Sequence, residues 1–459
     1  MDTVSIVIVS HNSREHLEAC LASVFALDYP RENTQVIVVD NASSDVTVGW
    51  LAQGHPRVTC EASPENTGFA QGINRGAAVA SGKYLAFLNP DMRVDVHWLS
   101  RLVETIRSEP DVACAGSVAL NWAGDRIDYA GHAHDGLCLF PADPADSSTL
   151  PDPTRDIPLL FASGEAMLIR REVFQQLGGF DPDYFLYHED VDFGWRLWSL
   201  GYRVLRASRS VVYHRQGSAA ARIAPAIVAH WVDKHALYTV LKNLEEPELQ
   251  RIFPRLAYCL VGRANTWELR HTSLAAALRD CIREADALWT KRASLRERRV
   301  RRDAAIFAEC GHPFETLPHD PASAAFERYW EQHGLRGDCV DGPSLAQYLL
   351  SVGFHAYAYN SESLSAELAA QQQRVNSLVA HVGERQQAVD HLGAELAEQT
   401  ARANALANRE VSVADLRIAR NFRRMLGGAL LRLGVRTRAS TGESVAPAVK
   451  RSGTREADP

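Results

Sequence analysis

Strand-like runs that alternate with helical patterns are the feature that most constrains the fold of this chain. Residues 4–9 (VSIVIV) form a β-branched run that is typical of a strand buried on both faces of a parallel sheet. Residues 14–26 then carry apolar side chains at helical spacing, and residues 36–39 repeat the strand pattern. This alternation predicts βαβ units and therefore an α/β fold with a doubly wound, mostly parallel sheet and helices on both faces.

The alternation continues to about residue 215. Further strands are predicted at residues 57–61, 83–88, 112–118, 202–205 and 211–213, with an apolar pattern at 161–169. Further helices are predicted at residues 69–80, 98–107, 171–177 and 191–200. Residues 121–158 are rich in Gly, Asp and Pro, and residues 141–153 within them are predicted to form an exposed loop that flanks the acceptor side of a site. We place the sheet domain at residues 1–221.

The rest of the chain predicts helices rather than a second catalytic unit. Residues 222–360 have mostly helical patterns without a catalytic signature, and we interpret them as a helical accessory domain. Residues 361–410 carry a heptad pattern with β-branched and leucine seam positions, which favours a parallel two-stranded coiled coil and hence a homodimer. Gly383, Gly393 and polar seam residues weaken the pattern, so a solitary or antiparallel helix is the alternative.

The last two segments differ in composition from the heptad region. Residues 411–438 interleave arginines with leucines, as a basic amphipathic helix on an anionic lipid surface would. The alternative is a solvated helix that packs on another protomer. Residues 439–459 are rich in Ser, Thr, Pro and charge, which predicts a disordered tail.

Composition excludes some partners and favours one compartment. The net charge of −7 offers no broad basic surface for nucleic acid. The eight cysteines are scattered singly, which suits a reducing cytoplasm better than a disulfide framework. The chain enters a strand at once, unlike a signal peptide, and no apolar stretch reaches the about 18 residues of a spanning helix. We expect a cytoplasmic protein whose membrane contact, at the inner face of the plasma membrane, is peripheral.

Polar residues that follow the predicted strands indicate a ligand site, because such sheets bind ligands beyond the carboxyl ends of their strands. Each of these residues alone could be a turn or cap residue, but together they line one edge. The carboxylate of Asp40 is placed to accept hydrogen bonds from a nucleoside base or ribose. The candidate donor-binding residues are Ser10, Asn12, Asp40, Asn41, Ser43, Asn66, Gly68, Asn74 and Asn89.

Asp91 is the candidate metal ligand. It lies just beyond the strand that ends at Leu88, where a carboxylate can hold Mg²⁺ or Mn²⁺ against a pyrophosphate. His214, after the last predicted strand, would complete the coordination, although a single histidine is more often structural or solvent-facing.

Glu189, Asp190 and Asp192 place three acids within four residues at a predicted helix start. A helix cap accounts for one of them, Asp190 or Asp192. The mutual repulsion of three carboxylates raises the pKa of at least one, which makes a general base near neutral pH feasible. Such a base would deprotonate an acceptor hydroxyl for in-line attack, and a single displacement of this type inverts the anomeric centre.

Four stretches together resemble family-two inverting glycosyltransferases, especially the bacterial rhamnosyltransferase-like branch. They are VSIVIVSHN from Val4, VIVVDNASSD from Val36, NTGFAQGINRGAAVASGKYLAFLNPD from Asn66, and SGEAMLIRREVFQQLGGFDPDYFLYHEDVDFGWRLWSLGYRV from Ser163. The resemblance covers almost half of the chain, to about residue 215, and implies the GT-A fold. It also implies a nucleotide-sugar donor, dTDP-rhamnose or a UDP-hexose, and a cell-surface glycan or polyprenyl-linked acceptor.

The resemblance also implies roles for individual residues. Asp40 would contact the base or ribose, and Asp91 would be the metal-binding end of a DXD-type motif. Asp190 would be the catalytic base, Glu189 would orient or polarise the site, and His214 would be a later metal ligand. The first position of the DXD-type motif is an amide, that of Asn89, so the Mn²⁺ or Mg²⁺ site would rest on the aspartate.

Two other functions are compatible with parts of the sequence. A sugar nucleotidyltransferase would need a Gly-rich and basic loop after the first strand, which SHNSR from Ser10 lacks. A membrane scaffold would use the coil and the basic helix while the sheet domain stayed inactive. The intact acidic cluster favours catalysis over the scaffold.

Overall fold

The computed structural model describes residues 1–131, 154–215, 223–253, 270–311 and 341–359, together with positions 152, 255, 256, 328, 331, 398 and 401. Apart from positions 398 and 401, the predicted coiled coil, the basic amphipathic helix and the tail lie outside the described residues. So do residues 132–151, which include most of the predicted acceptor-side loop.

The described residues form ten strands and eleven α-helices. The strands are β1 Val4–Ser10, β2 Thr34–Asp40, β3 Val58–Ala62, β4 Tyr84–Leu88, β5 Met92–Val94, β6 Val112–Asn121, β7 Ile127–Tyr129, β8 Ile157–Pro158, β9 Ala166–Arg170 and β10 Arg203–His214. The helices are α1 Arg14–Phe25, α2 Thr47–Gly54, α3 Gly68–Ala78, α4 Trp98–Ile106, α5 Arg171–Gln176, α6 Glu189–Ser199, α7 Pro225–Asn243, α8 Arg270–Arg283, α9 Ala285–Arg298, α10 Asp303–Cys310 and α11 Gly342–Tyr359.

All ten strands belong to one sheet with the order β3-β2-β1-β4-β9-β6-β10-β5, while β7 pairs with β6 and β8 with β10. The β1–β2, β2–β3, β1–β4 and β6–β10 pairs are parallel, as the βαβ pattern predicts. The sheet is nevertheless mixed rather than mostly parallel, because β9 lies antiparallel between β4 and β6. A parallel strand needs a crossover connection. Since β9 runs antiparallel to β6, it starts at the edge of the sheet where β6 ends.

The two closing strands predicted near the end of the sheet domain are a single strand, β10. Its pairing with β6 shifts register between Arg206 and Val211, which marks a local irregularity. The polar residues within that stretch resemble a turn in the sequence, which explains the wrong prediction. The short elements α2, β5, β7 and β8 were not predicted, because segments of two to eight residues carry little periodicity.

Helices cover both faces of the sheet, as predicted. Along β1, Val7 and Val9 belong to one buried cluster, while Ile6 and Ile8 belong to the other. Burial on both faces explains why this strand is apolar at almost every position. The carboxyl ends of β1, β2 and β4 therefore lie at one edge of a rigid layer, where polar loops are held in fixed positions.

The described helices after residue 223 share a core with the sheet. Buried residues of α7, α8, α9 and α10 belong to the same hydrophobic cluster as Val7 and Phe87. Buried charges join the two parts as well, since Lys242 Nζ lies 2.6 Å from Asp181 Oδ2 and 2.8 Å from Asp192 Oδ1. The part predicted as an accessory domain thus packs directly on the segment that carries the acidic cluster. No helix among the described residues is long and apolar enough to cross a membrane.

Candidate active site

The loops after β1 and β2 are joined by side-chain hydrogen bonds. Asn12 has a left-handed backbone with φ 53°, and its side-chain oxygen accepts the Ser44 N–H at 2.7 Å. The Asn12 N–H donates to Ser43 Oγ at 2.9 Å. These contacts fix the spacing of the two loops at the carboxyl edge of the sheet, where the candidate donor-binding residues lie.

Asn41 and Asn66 build the wall of this edge. The Asn41 side-chain amide donates to Asn66 Oδ1 and to the Gly68 carbonyl, each at 2.9 Å. Asn41 Oδ1 accepts the Thr67 N–H at 3.1 Å. Asn41 is buried and its amide is fully engaged, so its contribution to a donor site is to shape the wall.

Asp40 and Ser10 offer the hydrogen-bonding groups that remain at this edge. The two residues are register partners across β1 and β2, and both are buried. Asp40 Oδ2 accepts the Ser43 N–H at 3.1 Å. Asp40 Oδ1 and Ser10 Oγ have no hydrogen-bond partner within the described part of the chain. Buried polar atoms are seldom left without partners, so these two are the atoms of the edge best suited to a ligand.

Gly68 and Asn74 connect α3 to the segment that precedes the acidic cluster. Gly68 has φ 81°, and a Cβ there would overlap the Phe185 carbonyl oxygen, which accepts the Phe69 N–H at 2.8 Å. Glycine is therefore required at the start of α3. The Asn74 amide makes two hydrogen bonds with the Phe180 main chain, at 2.8 and 2.9 Å. Asn74 thus holds a neighbouring loop, and its amide does not join the polar edge.

Asp91 and His214 meet at a corner beyond β4 and β10. His214 Nε2 lies 3.5 Å from Asp91 Oδ2, and His214 Nδ1 lies 2.5 Å from Asp128 Oδ2. Burial alone would lower the pKa of His214, but hydrogen bonds with Asp128 and Asp91 and the charge of Glu165 raise it to about 10. The structure thus brings the two predicted metal ligands together.

The chemistry of this corner fits a divalent cation. Asp128 holds His214 Nδ1, which fixes the ring and aims Nε2 at Asp91, as carboxylates behind metal-bound histidines commonly do. The 3.5 Å separation of Nε2 and Oδ2 is less than twice a metal–ligand bond of about 2.1 Å. No group of three or more His, Cys, Asp or Glu side chains forms a metal centre within the described ranges. Asp91 and His214 would therefore need oxygen ligands from water and substrate, which Mg²⁺ commonly retains.

Glu165 and Asp128 belong to the site but were not predicted from the sequence. Glu165 is partly buried directly before β9. Burial raises the pKa of Glu165 to about 7. The charge of His214 opposes this rise, and the negative charges of Asp128, Asp91 and Asp190 add to it. An acid before a buried strand is a signal that sequence analysis could have used. Asp128 lies on the three-residue strand β7, where no pattern distinguishes it.

Asp190 is the accessible acid of the predicted cluster. Asp190 Oδ2 accepts the Gly164 N–H at 2.9 Å and Oδ1 accepts the Val191 N–H at 2.8 Å. Burial raises the pKa of Asp190, and these backbone hydrogen bonds oppose the shift. The side chain remains partly exposed, so a substrate can reach it.

Glu189 and Asp192 have different surroundings from Asp190. Glu189 is 5% exposed, and burial followed by repulsion from Asp190 raises its pKa well above the usual range. Asp192 is fully buried; burial would raise its pKa, but Arg196 and Lys242 hold it below the usual value. The predicted rise in pKa is present in this cluster, with burial rather than repulsion as its main cause.

Residues 163–165 connect the metal corner to the candidate base. The Gly164 N–H binds Asp190, and the Glu165 carbonyl accepts the Asn89 N–H at 2.8 Å. The main chain of Asn89, between the end of β4 and Asp91, is therefore part of this connection. The described structure therefore brings a carboxylate–histidine pair and an accessible acid to one edge of the sheet.

Comparison with known proteins identifies the family of the sheet domain. Residues 5–178 match the family model described as glycosyl transferase family 2. This part of the chain is a family 2 glycosyltransferase domain. The chain is thus a glycosyltransferase, and the predicted family and enzyme class are confirmed.

Two curated proteins from different organisms are similar to this glycosyltransferase. The N-acetylglucosaminyl-diphospho-decaprenol L-rhamnosyltransferase of Mycobacterium tuberculosis is 28% identical over 253 residues, which cover 50% of this chain and 81% of that protein. The low-salt glycan biosynthesis hexosyltransferase Agl10 of Haloferax volcanii is 25% identical over 204 residues, or 43% of this chain and 62% of that protein.

Two solved structures are also similar. GalNAc-T7 with UDP, GalNAc and Mn²⁺ has a TM-score of 0.44 and 20% identity, and the match covers 56% of this chain and 51% of that one. The mannosyltransferase PcManGT of Pyrobaculum calidifontis with GDP-Man and Mn²⁺ has a TM-score of 0.42 and 18% identity, with 78% and 88% covered. This chain thus spans about half the length of the GalNAc-T7 chain.

Proposed function

We propose that this glycosyltransferase moves a sugar from a nucleotide-sugar donor to a cell-surface glycan or lipid-linked acceptor, by a metal-assisted single displacement on a GT-A fold. One observation carries the proposal. Residues 164 and 165 link Asp190 to the corner of Asp91 and His214, so the candidate base and the candidate metal ligands share one edge of the sheet.

The donor would bind along the carboxyl ends of β1 and β2. Asp40 Oδ1 and Ser10 Oγ are buried there without a hydrogen-bond partner among the described residues, and a ribose or base would supply the missing hydrogen bonds. Asn12, Asn41, Ser43, Asn66 and Gly68 would hold the surrounding loops in place. A site fixed in this way binds its ligand without the cost of ordering the loops.

Asp91 and His214 would hold Mn²⁺ or Mg²⁺, with Asp128 orienting the imidazole. A bound divalent cation offsets the negative charge that gathers on a departing nucleoside diphosphate. Glu165 adds negative charge to the same corner and would strengthen its attraction for a cation. The protonated imidazole of His214 must lose its Nε2 proton before it can ligate a metal, so cation binding is expected to release a proton.

Asp190 would accept the proton of the attacking hydroxyl group. Its partly exposed carboxylate is held by the N–H groups of Gly164 and Val191, which fix its orientation. Glu189 is more deeply buried and would polarise the site rather than contact the acceptor. Attack by the deprotonated hydroxyl opposite the leaving group inverts the anomeric centre.

The relatives support a particular class of substrates. The mycobacterial relative is named as a rhamnosyltransferase that acts on a diphospho-decaprenol-linked sugar. We propose dTDP-rhamnose or a UDP-hexose as the donor, and a polyprenyl diphosphate-linked sugar as the acceptor. These assignments rest on the similarity of the sheet domain.

A pair of aspartate variants tests the role of the base. Asp190→Asn is expected to lower sugar transfer at least about 100-fold, as is usual for loss of a general base, while nucleotide affinity stays unchanged. Asp111→Asn is a matched control, because the Asp111 side chain is 48% exposed at the amino end of β6. Normal transfer by Asp190→Asn would reject the assigned base.

A further inference from the structure

Two arginines enclose Trp122 at the corner beyond β5, β6 and β10. Arg93 Cζ lies 5.2 Å from the centre of the Trp122 ring, and Arg215 Cζ lies 4.5 Å from it. Arg93 also lies 4.2 Å above the ring of Tyr213. We refer to Arg93, Trp122, Tyr213 and Arg215 as the arginine–tryptophan stack.

The main chain of the stack adjoins the main chain of the metal corner. In the β5–β10 pair, Arg93 is the register partner of Tyr213, and Met92 is the partner of His214. The Arg215 N–H donates to the Asp91 carbonyl at 3.1 Å. Neighbouring residues of a strand point to opposite faces, so the stack lies across the sheet from the His214 imidazole at the same corner.

The two guanidinium groups are held by the aromatic rings, and that of Arg93 also donates to the Trp122 carbonyl at 3.4 Å. Arg93 and Arg215 are exposed, and within the described residues neither forms an ion pair with a carboxylate. Arg203, by contrast, lies 2.7 Å from Glu109. In a chain of net charge −7, two cations held by aromatic rings rather than by acids are available to an anionic ligand.

The sheet order separates this stack from the donor loops. The candidate nucleoside site lies on β1 and β2, toward one end of the sheet, and the stack lies on β5, β6 and β10 at the other end. Asp91 follows β4, and Asp190 accepts a hydrogen bond from Gly164, just before β9. Since β4 and β9 are neighbours in the middle of the sheet, both acids lie between the donor loops and the stack. An acceptor would therefore approach from the side of the stack.

We propose that the arginine–tryptophan stack binds the diphosphate of a lipid-linked acceptor, an inference that rests on the proposed function. Planar guanidinium groups bind phosphate oxygens through two hydrogen bonds at once, and two of them match the charge of a diphosphate. Stacking on Trp122 and Tyr213 restricts the arginines before binding, which lowers the entropy that binding would otherwise lose. The acceptor sugar would extend from the stack toward Asp190.

Binding of farnesyl diphosphate tests this proposal. Calorimetry is performed with the full chain, Mn²⁺ and saturating dTDP or UDP, so that the donor site is filled and cannot bind the probe. The Arg93→Gln/Arg215→Gln double variant is expected to bind the probe at least tenfold more weakly, with unchanged affinity for the nucleoside diphosphate. Arg57→Gln is the matched control, because Arg57 is exposed before β3, at the opposite edge of the sheet. Farnesol, which has no phosphate, is expected not to bind.

Several results would overturn the assignment. They are no binding of farnesyl diphosphate by the wild-type protein, equal binding by the double variant, or equal binding of farnesol. A parallel loss of nucleotide affinity would place the arginines in the donor site. If the double variant binds phosphatidylglycerol vesicles more weakly than the wild-type protein does, but binds farnesyl diphosphate equally well, the arginines contact a membrane instead.

Two further controls separate the possible causes of failure. The single variant Arg215→Gln, which loses only the Trp122 contact, is expected to show part of the effect and guards against misfolding of the double variant. A wild-type protein that binds neither dTDP nor UDP would contradict the proposed function itself. Nucleotide binding with no effect of the arginine variants would contradict the stack proposal alone.

Discussion

At the scale of single residues, neighbouring acids take different roles because the start of α6 sends them into different surroundings. Asp190 faces two backbone N–H groups and remains partly exposed, whereas Asp192 is fully buried between Arg196 and Lys242. Three carboxylates that are nearly equivalent in the sequence thus divide into a candidate base, a buried acid and a structural ion-pair partner.

Asp192→Asn is expected to affect the free energy of unfolding more than the rate of sugar transfer. The substitution leaves two buried cations short of a partner, which costs about 3–5 kcal/mol when such a pair is broken. Urea unfolding measures the loss, with Asp190→Asn as the matched control that is expected to stay within about 1 kcal/mol of wild type. Equal stability of the two variants would show that the ion pairs of Asp192 do not hold the fold.

Glu165→Gln is expected to stabilise the metal-free protein at alkaline pH. The pKa of Glu165 is about 7 in the folded protein and about 4.3 in the unfolded chain. The contribution of Glu165 therefore lowers the free energy of unfolding progressively from about pH 4.3 to pH 7, and by a constant amount above pH 7. With allowance for partial exposure, we expect a gain of about 1–2 kcal/mol at pH 8 and none at pH 4. Urea unfolding in EDTA at both pH values measures it. A gain that does not depend on pH would contradict the shifted pKa.

At the scale of elements, α7 positions the loop that carries the acidic cluster. His235 Nδ1 donates to the carbonyl oxygens of Leu186 and Tyr187, at 2.8 and 3.0 Å. Tyr187 and His188 both have φ 68°, a left-handed conformation that costs energy in residues other than glycine. The helix thus stabilises two strained residues immediately before Glu189 and Asp190.

Acid is expected to weaken this arrangement. Burial lowers the pKa of His188 to about 3 and that of His235 to about 4, whereas both are near 6.5 when unfolded. The unfolded chain therefore binds protons that the folded chain does not, and the stability from these groups falls as the pH decreases from about 6.5 to 4. Urea unfolding across this range measures the slope. His235→Asn is expected to flatten it and to lower sugar transfer more than nucleotide affinity; an unchanged slope would contradict the assignment.

The sequence predicts the long elements of this fold well and its connections less well. The strands β1, β2 and β4 and the helices α1, α3 and α4 were predicted to within two residues, because periodicity alone specifies them. The direction of β9 depends on how the chain returns to the sheet, which periodicity does not encode. Asp91, His214 and Asp190 were found as polar residues beside strands or at a helix start, whereas Asp128 enters the site only through the pairing of β7 with β6.

At the scale of the whole molecule, the described C-terminal helices pack on the sheet and are joined by ion pairs to the segment that carries the acidic cluster. Lys242 of α7 and Lys291 of α9 both pair with Asp181, which lies between α5 and α6. Burial would raise the pKa of Asp181, but the two lysines hold it well below its usual range. The region after residue 222 thus contributes to the placement of the acidic cluster.

Removal of the chain after Glu362 is expected to separate catalysis from assembly. The sheet domain and the described helices remain, so nucleotide binding and donor turnover should be unchanged. We expect the predicted dimer and the predicted lipid contact to be lost, because both are assigned to residues 361–438. Light scattering and vesicle sedimentation measure these properties. Unchanged oligomer size and unchanged lipid binding would reject both assignments.

The most direct test of the central claim is a donor panel. The full chain is incubated with Mn²⁺ and UDP, dTDP and GDP sugars, and release of the nucleoside diphosphate is recorded with and without EDTA. We predict that one donor responds, that EDTA abolishes the release, and that Asp91→Ala reduces it. Silence across the panel, with no donor raising the melting temperature and no effect of Asp91→Ala, would contradict a metal-assisted transferase and favour the scaffold.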